Sequence, residues 1–131
     1  MEDNELLVQG LVELFDRWAE EGTGIEVISL STADGFPIHN YSRNKKSFDP
    51  DTMAAAASTL CSVSSAITQQ ILSKEFKSTF IEADEGNVCF VLFNMNNNDF
   101  VLAMSADKSI NIASLRISIS RLSETIKDID Y

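Results

Sequence analysis

The residues of this sequence that could carry out chemistry are few: one histidine, His39, and two cysteines, Cys61 and Cys89. A histidine can act as a general base and a cysteine as a nucleophile or metal ligand, but each needs suitable partners. His39 has no Asp or Cys close to it in the sequence, and the cysteines stand apart, without a Cys-x-x-Cys pair, in apolar segments. The pattern predicts a solvated or hydrogen-bonded histidine and two buried thiols. It predicts no catalytic residue, no metal site and no enzyme.

Nucleotide phosphates are usually held by a glycine-rich loop that opens a helix. Here Gly22-Thr23-Gly24 precedes a predicted strand, and no P-loop pattern occurs, so we expect no cofactor and do not expect the chain to be a GTPase itself. The one basic cluster, residues 43–48 (Arg43-Asn44-Lys45-Lys46-Ser47-Phe48), precedes the longest predicted helix, whose N-terminus would attract anions. This loop could meet a phosphate or an acidic protein surface, or it could simply be solvated.

The longest predicted helix runs from Asp49 to Ser73. Asp49 is a suitable N-cap, Pro50 fits the first helical position, and Asp51 complements the positive helix end. The 22 residues between Asp51 and Lys74 carry no charge, yet ten of them are Ser, Thr or Gln. A helix that is uncharged but polar in this way is not expected to span a membrane.

If this segment is helical, its apolar and small residues fall into two stripes along the helix. The broader, apolar stripe is predicted to pack on a sheet and comprises Met53, Ala56, Ala57, Leu60, Val63, Ile67 and Ile71. The second has small residues at heptad-like spacing, namely Ala54, Ser58, Cys61, Ser65, Thr68 and Leu72. Because a lone surface helix would carry Lys and Glu there, the second stripe favours contact with another copy of the chain. The alternative is a helix enclosed within a monomer.

The remaining segments predict a sheet and two further helices. Amphipathic helices are indicated over residues 4–20 and from residue 109 onward, and strands over 24–31, 36–42, 77–83, 88–95 and 100–105. The last two strands are apolar nearly throughout, so both of their faces should be covered. The predicted fold is an α/β (α+β) three-layer sandwich in the order α-β-β-α-β-β-β-α. Its five-stranded antiparallel sheet has the long helix on one face and the N- and C-terminal helices on the other.

Composition limits the possible partners. The 131 residues suit one domain, and the net charge of −10, concentrated near the N-terminus, disfavours nucleic acid and anionic lipid. We therefore expect no nucleic-acid partner and no direct membrane insertion. Two unpaired cysteines in apolar segments and the acidic start MEDNELL predict a reduced, cytoplasmic protein.

The order of elements resembles the roadblock/dynein light chain family, part of the roadblock/longin-like superfamily. Four features carry the resemblance: the hairpin motif 34–38 (DGFPI), the alanine-rich helix start 53–57, the meander 77–105, and the helix entry 111–116 (NIASLR). Ala113 stands where the family commonly has glycine. On this basis residues 1–131 are expected to form a single roadblock-like domain.

The resemblance implies a dimer, of two identical chains or of this chain with another roadblock-type chain, in which the strand after the long helix pairs with its counterpart. It also implies binding of a Ras-like small GTPase, as in gliding-motility GTPase activators of the MglB type. The implied dimer interface comprises Ala54, Ser58, Cys61, Ser65, Leu72, Ser78, Phe80 and Glu82. The implied GTPase-docking surface comprises Ala55, Thr59, Ser62, Ala66 and Gln69, with Arg43 as the nearby candidate for an arginine finger.

Three functions remain open from the sequence. The chain could regulate a small GTPase as a dimer, and it could stimulate hydrolysis by ordering the GTPase's own residues. It could be a light-chain-like adaptor subunit that joins a motor or membrane scaffold as half of a heterodimer. A small-molecule sensor is the third, but it would need an internal pocket that the apolar strands do not suggest.

Overall fold

The computed structural model describes residues 2–44 and 49–129, and it confirms the predicted fold and order of elements. Lys45, Lys46, Ser47 and Phe48 of the basic cluster lie outside the described residues. The elements are α1 (Glu2–Glu21), β1 (Ile25–Thr32), β2 (Pro37–Ser42), α2 (Pro50–Leu72), β3 (Ser78–Ala83), β4 (Gly86–Met95), β5 (Asn98–Asp107) and α3 (Ile112–Lys127).

The five strands form one antiparallel sheet in the order β2-β1-β5-β4-β3, which leaves β2 and β3 at its two edges. Alternate side chains of the sheet point to opposite faces. One face packs with α1 and α3 in the larger core cluster, which includes Leu11, Leu102 and Ile119. The other face packs with α2 in a smaller cluster, which includes Ala57 and Phe90. Both faces of β4 and β5 are therefore covered, as their apolar sequences predict.

The ends of α2 follow the predicted chemistry. The Asp49 side chain accepts a hydrogen bond from the Asp51 N–H and another from the Thr52 hydroxyl, and Pro50 occupies the first helical turn. These bonds lower the pKa of the Asp49 carboxyl below its ordinary value. At the other end Ser73 adopts a left-handed conformation, and its N–H donates to the Gln69 carbonyl. Both ends of the helix are thus fixed by local bonds.

The turn between β1 and β2 is held firmly against α2. Gly35 has a backbone φ of +100°, which residues with a side chain rarely adopt. Its N–H donates to the Thr32 carbonyl at 3.1 Å. The Phe36 N–H donates to the Thr32 hydroxyl at 3.0 Å, and the Ser58 hydroxyl of α2 donates to the Ala33 carbonyl at 2.6 Å. These bonds attach this end of the sheet to the helix.

Candidate protein-interaction site

Helix α2 packs against small side chains of the sheet. On the α2 face, β1 contributes Ser29 and Ser31, which are almost fully buried, and β5 contributes Ala103. The helix faces them with Ala54 and Cys61, whose exposed fractions are 0% and 4%. The prediction that Ala54 and Cys61 face a partner chain is therefore wrong: only small residues allow the helix to lie this close to the sheet.

The rest of the predicted small-residue stripe is divided. Ser58, Ser65 and Thr68 are half-buried along the side of α2 that approaches the sheet, and Ser58 is engaged with the hairpin through its hydroxyl. Leu72, in the last turn, is 59% exposed. Of this set, Leu72 is the one that remains well placed to meet another chain.

The larger apolar residues of α2 point away from the core instead. Val63 and Ile67 are each 52% exposed and Ile71 is 74% exposed, so the prediction that they pack on the sheet is wrong. Ala56 is exposed as well, whereas Met53 and Leu60 are partly buried against the smaller core cluster, between α2 and the sheet. We call this surface the α2 stripe, and it comprises Met53, Ala56, Leu60, Val63, Ile67 and Ile71.

The α2 stripe overhangs strand β3. The Thr79 hydroxyl of β3 donates to the Ser64 hydroxyl at 2.8 Å, whereas Ser58, on the opposite flank of the helix, bonds to the β1–β2 turn. Successive residues of a helix are 100° apart around its axis, so the residues of the α2 stripe lie on the flank next to Ser64 and far from Ser58. They are therefore on the side of α2 that is near β3. Ile81 of β3 faces the same side of the sheet as Thr79 and is 43% exposed, so it extends the apolar surface onto the sheet.

Among the strands of residues 2–44 and 49–129, β3 pairs only with β4, which leaves its outer edge open to another strand. The Leu92 N–H donates to the Lys77 carbonyl at 3.3 Å, so the backbone of residue 77 and of every second residue after it points toward β4. The N–H and C=O groups of Ser78, Phe80 and Glu82 therefore point outward. The opposite edge is less suited to pairing, because β2 begins with Pro37 and its register with β1 shifts at Leu30.

The outer face of α2 is exposed and uncharged. All five predicted docking residues are exposed there: Ala55, Thr59, Ser62, Ala66 and Gln69. The turn that packs on this helix near Ala55 presents Phe36, which is 65% exposed and which the sequence reading missed. Arg43 is not part of this group, because its N–H donates to the Glu26 carbonyl at the other end of β2.

The candidate chemical residues, one histidine and two cysteines, lie in half-buried or buried positions. His39 is half-buried with its ring centroid 5.3 Å from that of Phe15, and burial lowers its pKa although nearby Asp16 raises it in part. Burial raises the pKa of Cys61 to about 11 and of Cys89 to about 12. Both thiols are therefore protonated and poorly nucleophilic at neutral pH.

Within residues 2–44 and 49–129, no group of three or more His, Cys, Asp and Glu side chains is arranged to hold a metal ion. Among the helices of that same part of the chain, none is both long enough and apolar enough to cross a membrane. The surface formed by the α2 stripe and the edge of β3 consists of backbone groups and small or apolar side chains, which suits contact with other proteins.

Comparison with known proteins gives a family match and several similar solved structures. A family model described as Roadblock/LC7 domain matches residues 11–106. Myxococcus xanthus MglB has a TM-score of 0.78 at 16% sequence identity, covering 98% of this chain and 90% of that chain. The gliding protein MglB of Thermus thermophilus has a TM-score of 0.76 at 14% identity, covering 98% of this chain and 91% of that chain.

A Roadblock/LC7 domain from Streptomyces avermitilis has a TM-score of 0.67 at 19% identity, covering 79% of this chain and 83% of that chain. No curated protein sequence matches the chain. At these identities the solved structures show a common fold.

Proposed function

The chain belongs to the Roadblock/LC7 domain family, and from this we propose that it is a dimeric, non-enzymatic regulator or scaffold that binds a Ras-like small GTPase. We take residues 1–131 as one domain, because α3, beyond the family match, contributes Leu115, Ile119 and Leu122 to the same core as α1 and the sheet. We also propose a reduced, cytoplasmic setting, in which both cysteines stay as free thiols.

The observation that carries the proposal is the α2 stripe beside the open edge of β3. Exposed apolar residues in a continuous row mark interaction sites, and an unpaired edge strand invites a further strand. A two-fold axis next to β3 would satisfy both, because it would pair the two β3 strands and bring the two α2 stripes together. In this arrangement Ser78, Phe80 and Glu82 lie at the strand pairing, while Val63, Ile67, Ile71 and Leu72 lie between the helices.

The outer face of α2 is the proposed docking surface for the GTPase. It comprises Ala55, Thr59, Ser62, Ala66 and Gln69, and in a dimer two such faces would lie on the same side of a continuous sheet. Phe36 would stand at the rim of each face, held by the hydrogen bonds of the β1–β2 turn. An exposed aromatic side chain on a backbone held in place is a common anchor in protein interfaces.

We propose that any stimulation of GTP hydrolysis works by ordering the GTPase's own residues. None of the five docking positions is an arginine, and Arg43, the candidate from the sequence, lies at the far end of β2 from the turn that contacts Ala55. An arginine finger typically contributes about 10³ to 10⁵ in turnover. With a captured GTPase, Arg43→Ala should leave stimulated turnover within about threefold of the unmodified protein, and a thousandfold loss would contradict the positioning mechanism.

The proposed function is tested by immobilising the protein and capturing its binding partners from an extract of the source cell. A retained small GTPase, identified by mass spectrometry with its bound nucleotide, is the expected result, and its binding should weaken on Phe36→Ser. The same α2 stripe would also serve the alternative role of an adaptor in a heterodimer. Sedimentation separates the two roles: self-association to about twice the 14.5 kDa chain mass supports the homodimer. A monomer that captures a different roadblock-type chain supports the adaptor.

A further inference from the structure

A small basic cleft lies beside the open edge of β3, on the face of the sheet that carries α3. Its volume is about 200 Å³, and it is lined by Lys77, Arg116 and Lys127 with one acid, Glu124. Lys127 is 3.3 Å from Glu124, and the Arg116 guanidinium lies 5.9 Å from the centre of the Phe80 ring. Neither Lys77 nor Arg116 forms a salt bridge within residues 2–44 and 49–129.

The edge strand holds an acid on the same face. Phe80 lies opposite Cys89 and packs on the core shared with α3, so Ser78 and Glu82, two positions away on either side, face the same way. Glu82 is exposed and, across the described ranges, likewise forms no salt bridge. The edge of β3 thus has the basic cleft near Ser78, where the strand begins, and the carboxylate of Glu82 near the end of the strand.

Antiparallel pairing of two such edges brings opposite charges together. Two symmetric registers pair most of the strand: one puts Glu82 opposite Ser78 of the second copy, and the other puts it opposite Phe80. Directly opposite residues have Cβ atoms about 5 Å apart. The first register places the carboxylate beside Ser78, which lines the cleft, and the second places it beside Phe80, beneath Arg116, so both bring it to the cleft.

We propose that Glu82 of a second copy enters this cleft and pairs with Arg116, so that two such ion pairs fix the orientation of the dimer. The inference rests on the self-pairing proposed above and adds the charged residues that select it. Since it is a two-fold arrangement, each substitution acts twice per dimer, and a charge exchange within one chain restores both pairs.

The test is a charge exchange followed by sedimentation equilibrium. We expect Glu82→Arg to raise the dimer dissociation constant by about tenfold or more at low salt, because like charges then meet at two sites. Arg116→Glu should also weaken the dimer. Combining Glu82→Arg with Arg116→Glu should return the constant to within about threefold of the unmodified protein. The gap between single and combined variants should narrow at about 1 M salt, where screening is strong.

Glu20→Arg is the matched control, because it makes the same change in net charge on the exposed side of α1, over the opposite part of the sheet. Glu82→Gln, which removes the charge without reversing it, should have a smaller effect in the same direction and guards against misfolding of the arginine variant. A dimer that Glu82→Arg affects no more than Glu20→Arg would overturn the ion-pair inference and leave the dimer intact. A chain that stays monomeric at about 100 μM would overturn both.

Discussion

Replacing Ile67 by arginine is the most direct test of where α2 meets another chain. Ile67 is half exposed in the single chain, so the substitution should hardly affect folding, since surface changes usually stay within about 0.5 kcal/mol. In the proposed dimer the remaining exposed half is covered. A fully buried isoleucine contributes about 1.5–3 kcal/mol, so covering half of one contributes roughly 1 kcal/mol per copy, or about 2 kcal/mol per dimer.

Arginine adds a second loss, because it places an unpaired charge in an apolar contact, which costs several kcal/mol. Together these give about 4 kcal/mol or more, which corresponds to roughly a thousandfold increase in the dimer dissociation constant. Sedimentation equilibrium measures that constant, and far-ultraviolet circular dichroism reports whether the chain still folds. We expect a folded monomer over the concentration range in which the unmodified protein is a dimer.

Two matched variants make the result specific. Gln69→Arg introduces the same charge on the exposed outer face of α2, two residues away, and should leave the dimer intact. Cys61→Arg introduces it at a buried position and should unfold the chain itself. If Ile67→Arg sediments as the unmodified protein does, or if Gln69→Arg dissociates the dimer equally well, the assignment of the α2 stripe as the contact between helices is refuted.

Two further predictions concern titratable groups that are half-buried or buried. Because burial lowers the pKa of His39 in the folded state, the unfolded chain binds a proton more readily, so stability should decline as pH falls through about 6.5. Urea unfolding at pH 7 and pH 5.5 should show this decline in the unmodified protein and less of it in His39→Gln, and equal declines would contradict it. Cys61 and Cys89, with raised pKa values, should react with iodoacetamide at pH 7.5 far more slowly in the folded protein than in urea, and equal rates would show that these thiols are accessible.

The fold could be read from the sequence because local signals and hydrophobic period agree throughout. Asp49 and Pro50 mark the start of α2, Asp34-Gly35 marks the hairpin, and the apolar runs of β4 and β5 require cover on both faces. Each of these features depends on neighbours in the chain. They are therefore visible without knowledge of which elements finally touch.

The faces of α2 could not be assigned in the same way. The helical period separates the stripe that contains Ala54 and Cys61 from the one that contains Val63 and Ile67. It does not show which of the two stripes packs on the sheet. That depends on the sheet, where Ser29, Ser31 and Ala103 are small and draw the helix close, so there is room for alanine and cysteine but not for larger side chains. The alternation of serines in β1 was the available signal, and it has meaning only once β1 is known to lie under α2.

The absence of charge from Thr52 to Ser73 has a consequence for how partners are told apart on this helix. Any attraction or repulsion at a distance must come from the charges carried elsewhere on the chain, which sum to −10. At the surface of the helix itself, selectivity would have to come from shape and from how long each complex lasts.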